Sequence, residues 1–254
     1  MYEVLHELLK DKKGGVIFSC FDGFHLCVIA FFLCLAVFAC WYVGKKSKNP
    51  DKVINLFINL AIGLYALDFF AMPFAYGVID IEKLPFHVCT TMCVMCFLSR
   101  YHPFFKKFRL QFAMLGFLSN LTYLIYPAGM MWHNIHPLSY RVVQTLAFHG
   151  VMMVYGALVL LYEGKAEFRW KDRGVDFLVI SAMTCWAWLG NTLYNSELDF
   201  YNWFFVVRDP FSMFPEDVSP FIMPFLNIAI FFVAELLMYY LFTKLIKVTK
   251  VKVA

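Results

Sequence analysis

Apolar residues run through the chain in seven long stretches separated by short charged segments. About 20 apolar residues carry a helix across a hydrocarbon core. The stretches 24–43, 53–78, 84–99, 108–127, 138–161, 174–193 and 220–243 are of that kind. The third is short and the second long for a perpendicular crossing, so the pattern predicts tilt or a broken end in both. In the third, LPFHVCTTMCVMCFLS, Pro85 suits the first turn of a helix, which makes no use of its missing N–H. The expected architecture is all-α: residues 1–254 form a single transmembrane domain, a polytopic seven-helix bundle.

Composition agrees with the pattern. Of the 254 residues 61% are hydrophobic and only 16% charged, against about 25% charged in soluble domains. The net charge of +4 carries little information, because the basic residues gather at helix ends. No surface of interleaved basic and aromatic residues points to nucleic acid. Seven of the eight cysteines lie in or beside apolar stretches, which is not a disulfide framework. The first 21 residues make a poor signal peptide, having acidic residues and no short apolar core.

Charge also orients the helices. Lys45, Lys46, Lys48 and Lys52 fall in the 44–52 loop, and Arg100, Lys106, Lys107 and Arg109 in the 100–109 loop. Lys165, Arg169, Lys171 and Arg173 fall in the 162–173 loop, and Lys244, Lys247, Lys250 and Lys252 in the tail. Positive loops face the cytoplasm, so the N-terminus is expected outside and the C-terminus cytoplasmic. The expected localisation is a multi-pass integral membrane protein, in the plasma membrane if the source is bacterial. The outer connection 194–219 is rich in Phe, Trp and Tyr, with polar anchors at Asp199, Arg208, Asp209, Glu216 and Asp217. It suits an aromatic belt, a headgroup-level segment or a partly re-entrant cap.

Polar residues inside spans are costly and tend to face the bundle interior. Cys89, Cys93 and Cys96 recur at i, i+4 and i+7 on one face, with His87, Thr90 and Thr91 beside them. A thiol near a helix start in a low-dielectric site can serve as a nucleophile or soft ligand, or pack as a small hydrophobe. Asp68 in the second span and Glu235 in the seventh, two turns from Asn227, are proton-relay groups or structural partners. Arg141, Gln144 and His149 step along one face of the fifth span, with Gly150 admitting a close neighbour. Arg141 at headgroup level matches a phosphate. Asn191 shares a face with Thr184 and Trp188, and its amide could orient an imidazole or a substrate carbonyl.

Several of these residues carry a family resemblance. LPFHVC, TYLIYPAG at the end of the fourth span, LAFHG in the fifth, WLGNTLY in the sixth and the RDP turn after it resemble the YwaF-like family of integral membrane proteins. Its eukaryotic relatives are of the transmembrane protein 164 type. The resemblance covers roughly residues 50–245 and rests on the order and spacing of short motifs. It implies seven spans and, from the eukaryotic branch, a phospholipid acyltransferase using a Cys and a His on separate spans. By position these are Cys89 and His149. The expected function is then lipid acyl chemistry, as transferase or hydrolase, on membrane lipids as partners and with no metal or cofactor. Thr90 and Asn191 would serve as oxyanion or orienting groups, and Arg141, Gln144 and His87 would bind substrate. The alternative is a transporter or binding protein for a small solute, a proton or a soft metal ion. Asp68 and Glu235, or the donor set His87, Cys89, Met92, Cys93, Met95 and Cys96, would carry that function.

Overall fold

Each apolar stretch becomes a helix whose ends are set by a few polar or imino residues. The computed structural model describes residues 2–12, 14–77, 81–131, 134–163, 169–196, 200–210 and 212–251. Lys165, Asp199 and Lys252 lie outside these residues. A short α1 (Tyr2–Leu9) precedes α2 (Gly23–Lys45), which Asp22 caps by accepting the His25 N–H at 2.7 Å. Asn49 caps α3 (Pro50–Tyr76), Pro50 opens it, and Gly77 ends it at φ 74°, a left-handed stop that suits glycine. Then come α4 (Val88–Tyr101), the single turn α5 (Pro103–Lys106), α6 (Arg109–Ile125) and the single turn α7 (Ala128–Met131). α8 (Tyr140–Leu158) widens into a π-helical turn over Val159–Glu163. α9 (Arg173–Tyr194) and the long α10 (Ser219–Val251) complete the fold.

Among the described residues five helical segments are long and apolar enough to cross a membrane: Gly23–Lys45, Pro50–Phe74, Tyr140–Tyr162, Trp170–Tyr194 and Ser219–Leu245. α4 has 14 residues and α6 has 17, about 21 and 26 Å of helix. The shortness of α4 corrects one expectation: Pro85 is not in its first turn. Leu84–Phe86 turn instead, with the Phe86 N–H donating to the Leu84 carbonyl at 2.8 Å, and the helix starts after His87. The Pro85 carbonyl accepts from Thr91 Oγ1 and Trp186 Nε1, both at 2.6 Å. Two donors converging on one carbonyl hold the turn.

α6 and α8 form the centre, α4 packs on α6, α2 and α3 pack on α8, and α9 pairs with α10. Small residues let these backbones approach, as is usual between membrane helices. A Cβ at Gly156 would lie 2.7 Å from Phe117 Cβ and 3.0 Å from the Ala113 carbonyl. At Gly150 it would overlap the Phe32 ring of α2. Buried polar groups act as cross-links. His25 accepts the Phe21 N–H at Nδ1 and meets the Leu124 carbonyl with Nε2 at 2.8 Å, joining α2 to the end of α6. Asp68 pairs with Lys83 at 2.7 Å. Glu235 lies beside Arg173 and Asp176, which pair at 2.9 Å, with the Tyr239 hydroxyl donating to Asp176 at 3.2 Å.

The aromatic connection folds back onto the helix ends, with Trp203, Phe204 and Val206 buried. Asn227 donates to the carbonyls of Phe204 and Phe205, and Asn202 accepts from the N–H groups of Val207 and Arg208. Arg208 pairs with Glu216.

Candidate functional site

The turn before α4 sets where Cys89 lies. Phe86 stacks on Trp186 at 4.9 Å and lies 5.1 Å from Trp203, and its ring fills the space above Gly190. That aromatic box fixes the chain just before His87, the N-cap of α4, whose side chain makes no capping bond. Cys89 is the second residue of the helix and is buried. Ser119 on α6 is its polar neighbour across the helix interface.

His149 reaches the same turn of α6 from the other side. Its Nδ1 is 2.7 Å from Asn120 Oδ1. Its ring stacks on Tyr123, with centroids 3.9 Å apart and planes 17° from parallel. Ser119 and Asn120 are consecutive, so α6, lying between α4 and α8, presents one residue to each. Tyr123, one turn on, lies near Cys89, Glu82 and Arg141, and His149 lies near His87 and Lys83. Among the described residues no hydrogen bond joins Cys89 directly to His149. What the two share is one turn of α6, on which Ser119 and Asn120 are buried.

The other expected site residues are engaged elsewhere. Thr90 donates its hydroxyl to the His87 carbonyl at 3.0 Å. Asn191 uses both ends of its amide on Trp203, donating to its carbonyl at 3.1 Å and accepting its N–H at 2.9 Å. Trp188 is exposed and does not share the buried side of α9 with Asn191 and Thr184. Gln144 donates to the Leu64 carbonyl at 3.0 Å, fastening α8 to α3. Arg141 lies 3.5 Å from Asp11, both largely buried at the start of α8. The soft donors diverge, with Cys89 against Ser119 and Cys96 against Gly116 and Tyr155. Among the described residues no group of three or more His, Cys, Asp or Glu could hold a metal ion.

Ser119 and Asn120 are site residues that the sequence analysis does not single out, and Tyr123 enters it only within the TYLIYPAG motif. Asking of the fourth span what the other spans were asked, which polar residues sit among apolar ones, would have returned Ser119 and Asn120. No curated protein and no solved structure matches this chain. A multi-pass integral membrane protein with five long apolar helices, it matches a family model over residues 20–246, and so belongs to the TMEM164 family.

Proposed function

We propose that this protein moves acyl chains between membrane phospholipids, with Cys89 as nucleophile and His149 as general base. The observation that carries the reading is the meeting of a thiol from α4 and an imidazole from α8 on adjacent residues of α6. His149 takes the Cys89 proton and the sulfur attacks the carbonyl carbon of a lipid ester. The tetrahedral adduct collapses, its C–O bond breaks, and the lysolipid oxygen leaves with the proton from His149. The thioester is then attacked by the hydroxyl of a second lysolipid, which His149 deprotonates, and the thiol is restored. Water in place of that hydroxyl makes the protein a lipase.

The engagement of Thr90 and Asn191 leaves other groups for the oxyanion. The first N–H groups of α4 have no intrahelical acceptor, and the helix dipole favours negative charge there. On this reading the Cys89 N–H and the neighbouring Ser119 hydroxyl, which now donates to the Gly116 carbonyl, serve the oxyanion. Arg141 and His87, at the outer end of the site, hold the phosphate, Arg141 exchanging Asp11 for it. The same reading takes α4 and α6 as spans as well, giving seven with the N-terminus outside and the C-terminus cytoplasmic. Helices this short are tolerable because neighbours enclose them; residues 111–120 of α6 are all buried.

The test is reconstitution into phosphatidylcholine vesicles with a labelled acyl-donor phospholipid and a lysophospholipid. Labelled acyl groups should move to the acceptor or be released. Cys89→Ala should abolish turnover and His149→Ala lower it about 10²–10⁴-fold, with both variants still folded. Undiminished turnover in both removes the dyad.

A further inference from the structure

We infer that Asn120 is the positioning residue for His149, fixing its neutral imidazole in the Nδ1–H tautomer so that Nε2 is the basic nitrogen. The inference deepens the acyl-transfer reading and rests on it for its functional meaning. It begins with the amide rather than the ring. The Asn120 amide nitrogen lies 2.7 Å from the Gly116 carbonyl oxygen, one turn back on α6, and 3.5 Å from Ser119 Oγ. Only the NH₂ end of the amide can face a carbonyl at that distance, since the opposite orientation would press two oxygens together. The amide oxygen is therefore the end turned to His149.

An imidazole nitrogen 2.7 Å from a carbonyl oxygen must carry a hydrogen, because that oxygen only accepts. With Nδ1 protonated, a neutral ring has its lone pair on Nε2. The ring's contacts on α6 are this amide and the face of Tyr123, neither of them anionic, so no partner there calls for a second proton. Tyr123 fixes the ring plane and Asn120 fixes rotation within that plane. Together they decide which nitrogen is the base and in which direction it points. Asn120 is itself fully buried, and a buried asparagine is retained only where its amide is satisfied. Gly116, Ser119 and His149 satisfy it.

The experiment is ¹⁵N NMR of histidine-labelled protein in lipid nanodiscs, with the His149 signals assigned by their loss in His149→Ala. The native protein should show a protonated Nδ1 and an unprotonated Nε2. Asn120→Ala should lose the single tautomer, while Asn120→Asp, protonated on the oxygen that faces the Gly116 carbonyl, keeps an acceptor toward the ring and should retain Nδ1–H. In the vesicle assay Asn120→Ala should lower kcat about 10²-fold, as misplacement of a reacting group does, with KM within about twofold, and Asn120→Asp should recover part of the loss. An Nε2–H tautomer or a doubly protonated ring in the native protein overturns the inference, and so does an unchanged tautomer in Asn120→Ala. These spectra need no turnover. Native tautomer signals together with undiminished activity of Cys89→Ala would sink the acyl-transfer reading and leave the positioning of His149 intact.

Discussion

At the scale of single residues the bundle depends on what sits opposite its glycines. Gly150 follows His149 at once, and the Phe32 ring occupies the space that a Cβ would take. Gly150→Ala must push that ring, and α2 with it, away from α8. Overpacking of this kind costs about 1–3 kcal/mol, so thermal unfolding in detergent should come at lower temperature. Adding Phe32→Leu should return most of the loss, and a fall of equal size with Phe32 already trimmed would contradict the packing argument. Other residues show why sequence carries part of the site and not the rest. Cys89 and His149 stand out because each is a chemically distinctive residue in an apolar stretch. Their partners Ser119 and Asn120 come from a helix that lies between theirs in the chain, far from both in residue number, and only the packing of α4 and α8 on α6 makes them partners. Asn191 and Gln144 stand out for the same reason as His149, yet their amides fasten backbone. A polar residue in a span announces that it has a partner without saying which.

At the scale of elements, the aromatic connection between α9 and α10 governs the approach to α4. Its composition alone suggested a belt, a headgroup-level segment or a cap, and the geometry adds how it is held. Asn191, Asn195, Asn202 and Asn227 each bond its backbone through side-chain amides. Phe204 and Phe205 sit at φ 58° and 52°, a left-handed conformation that costs bulky residues of the order of 1–3 kcal/mol each. The asparagine bonds offset that cost. Trp203, so placed, closes the aromatic box on Phe86 and hence on the turn leading to Cys89. Asn191→Ala removes both bonds to Trp203 and leaves a buried N–H and a buried carbonyl without their partners, a loss of about 1–3 kcal/mol. Amide exchange within 202–207 should accelerate, while exchange in the centres of α6 and α8 stays slow. Equal acceleration in both places would mean that the segment is not a separate unit.

At the scale of the whole molecule, the division between inner and outer helices bears on how a lipid reaches the site. In α8, 83% of the most apolar window is buried, against 17% in α2 and in α10. His149 therefore sits on the innermost of the long helices, Cys89 on a short helix beside it, and the longest apolar helices form the wall. Length and apolarity made the wall readable from sequence, whereas α4 and α6 are short, and their crossing of the membrane belongs to the proposal. On the acyl-transfer proposal a substrate enters between the aromatic connection and the start of α4, and the proposed orientation turns this end of the bundle to the outer leaflet. The lysine- and arginine-rich loops give the same sense. Epitope tags inserted after Lys48 or at the C-terminus should then bind antibody only in permeabilised cells, and a tag after Ser196 should bind it in intact ones. Reversed accessibility would place that end of the bundle in the cytoplasmic leaflet. A labelled donor lipid confined to that leaflet would then be the one consumed.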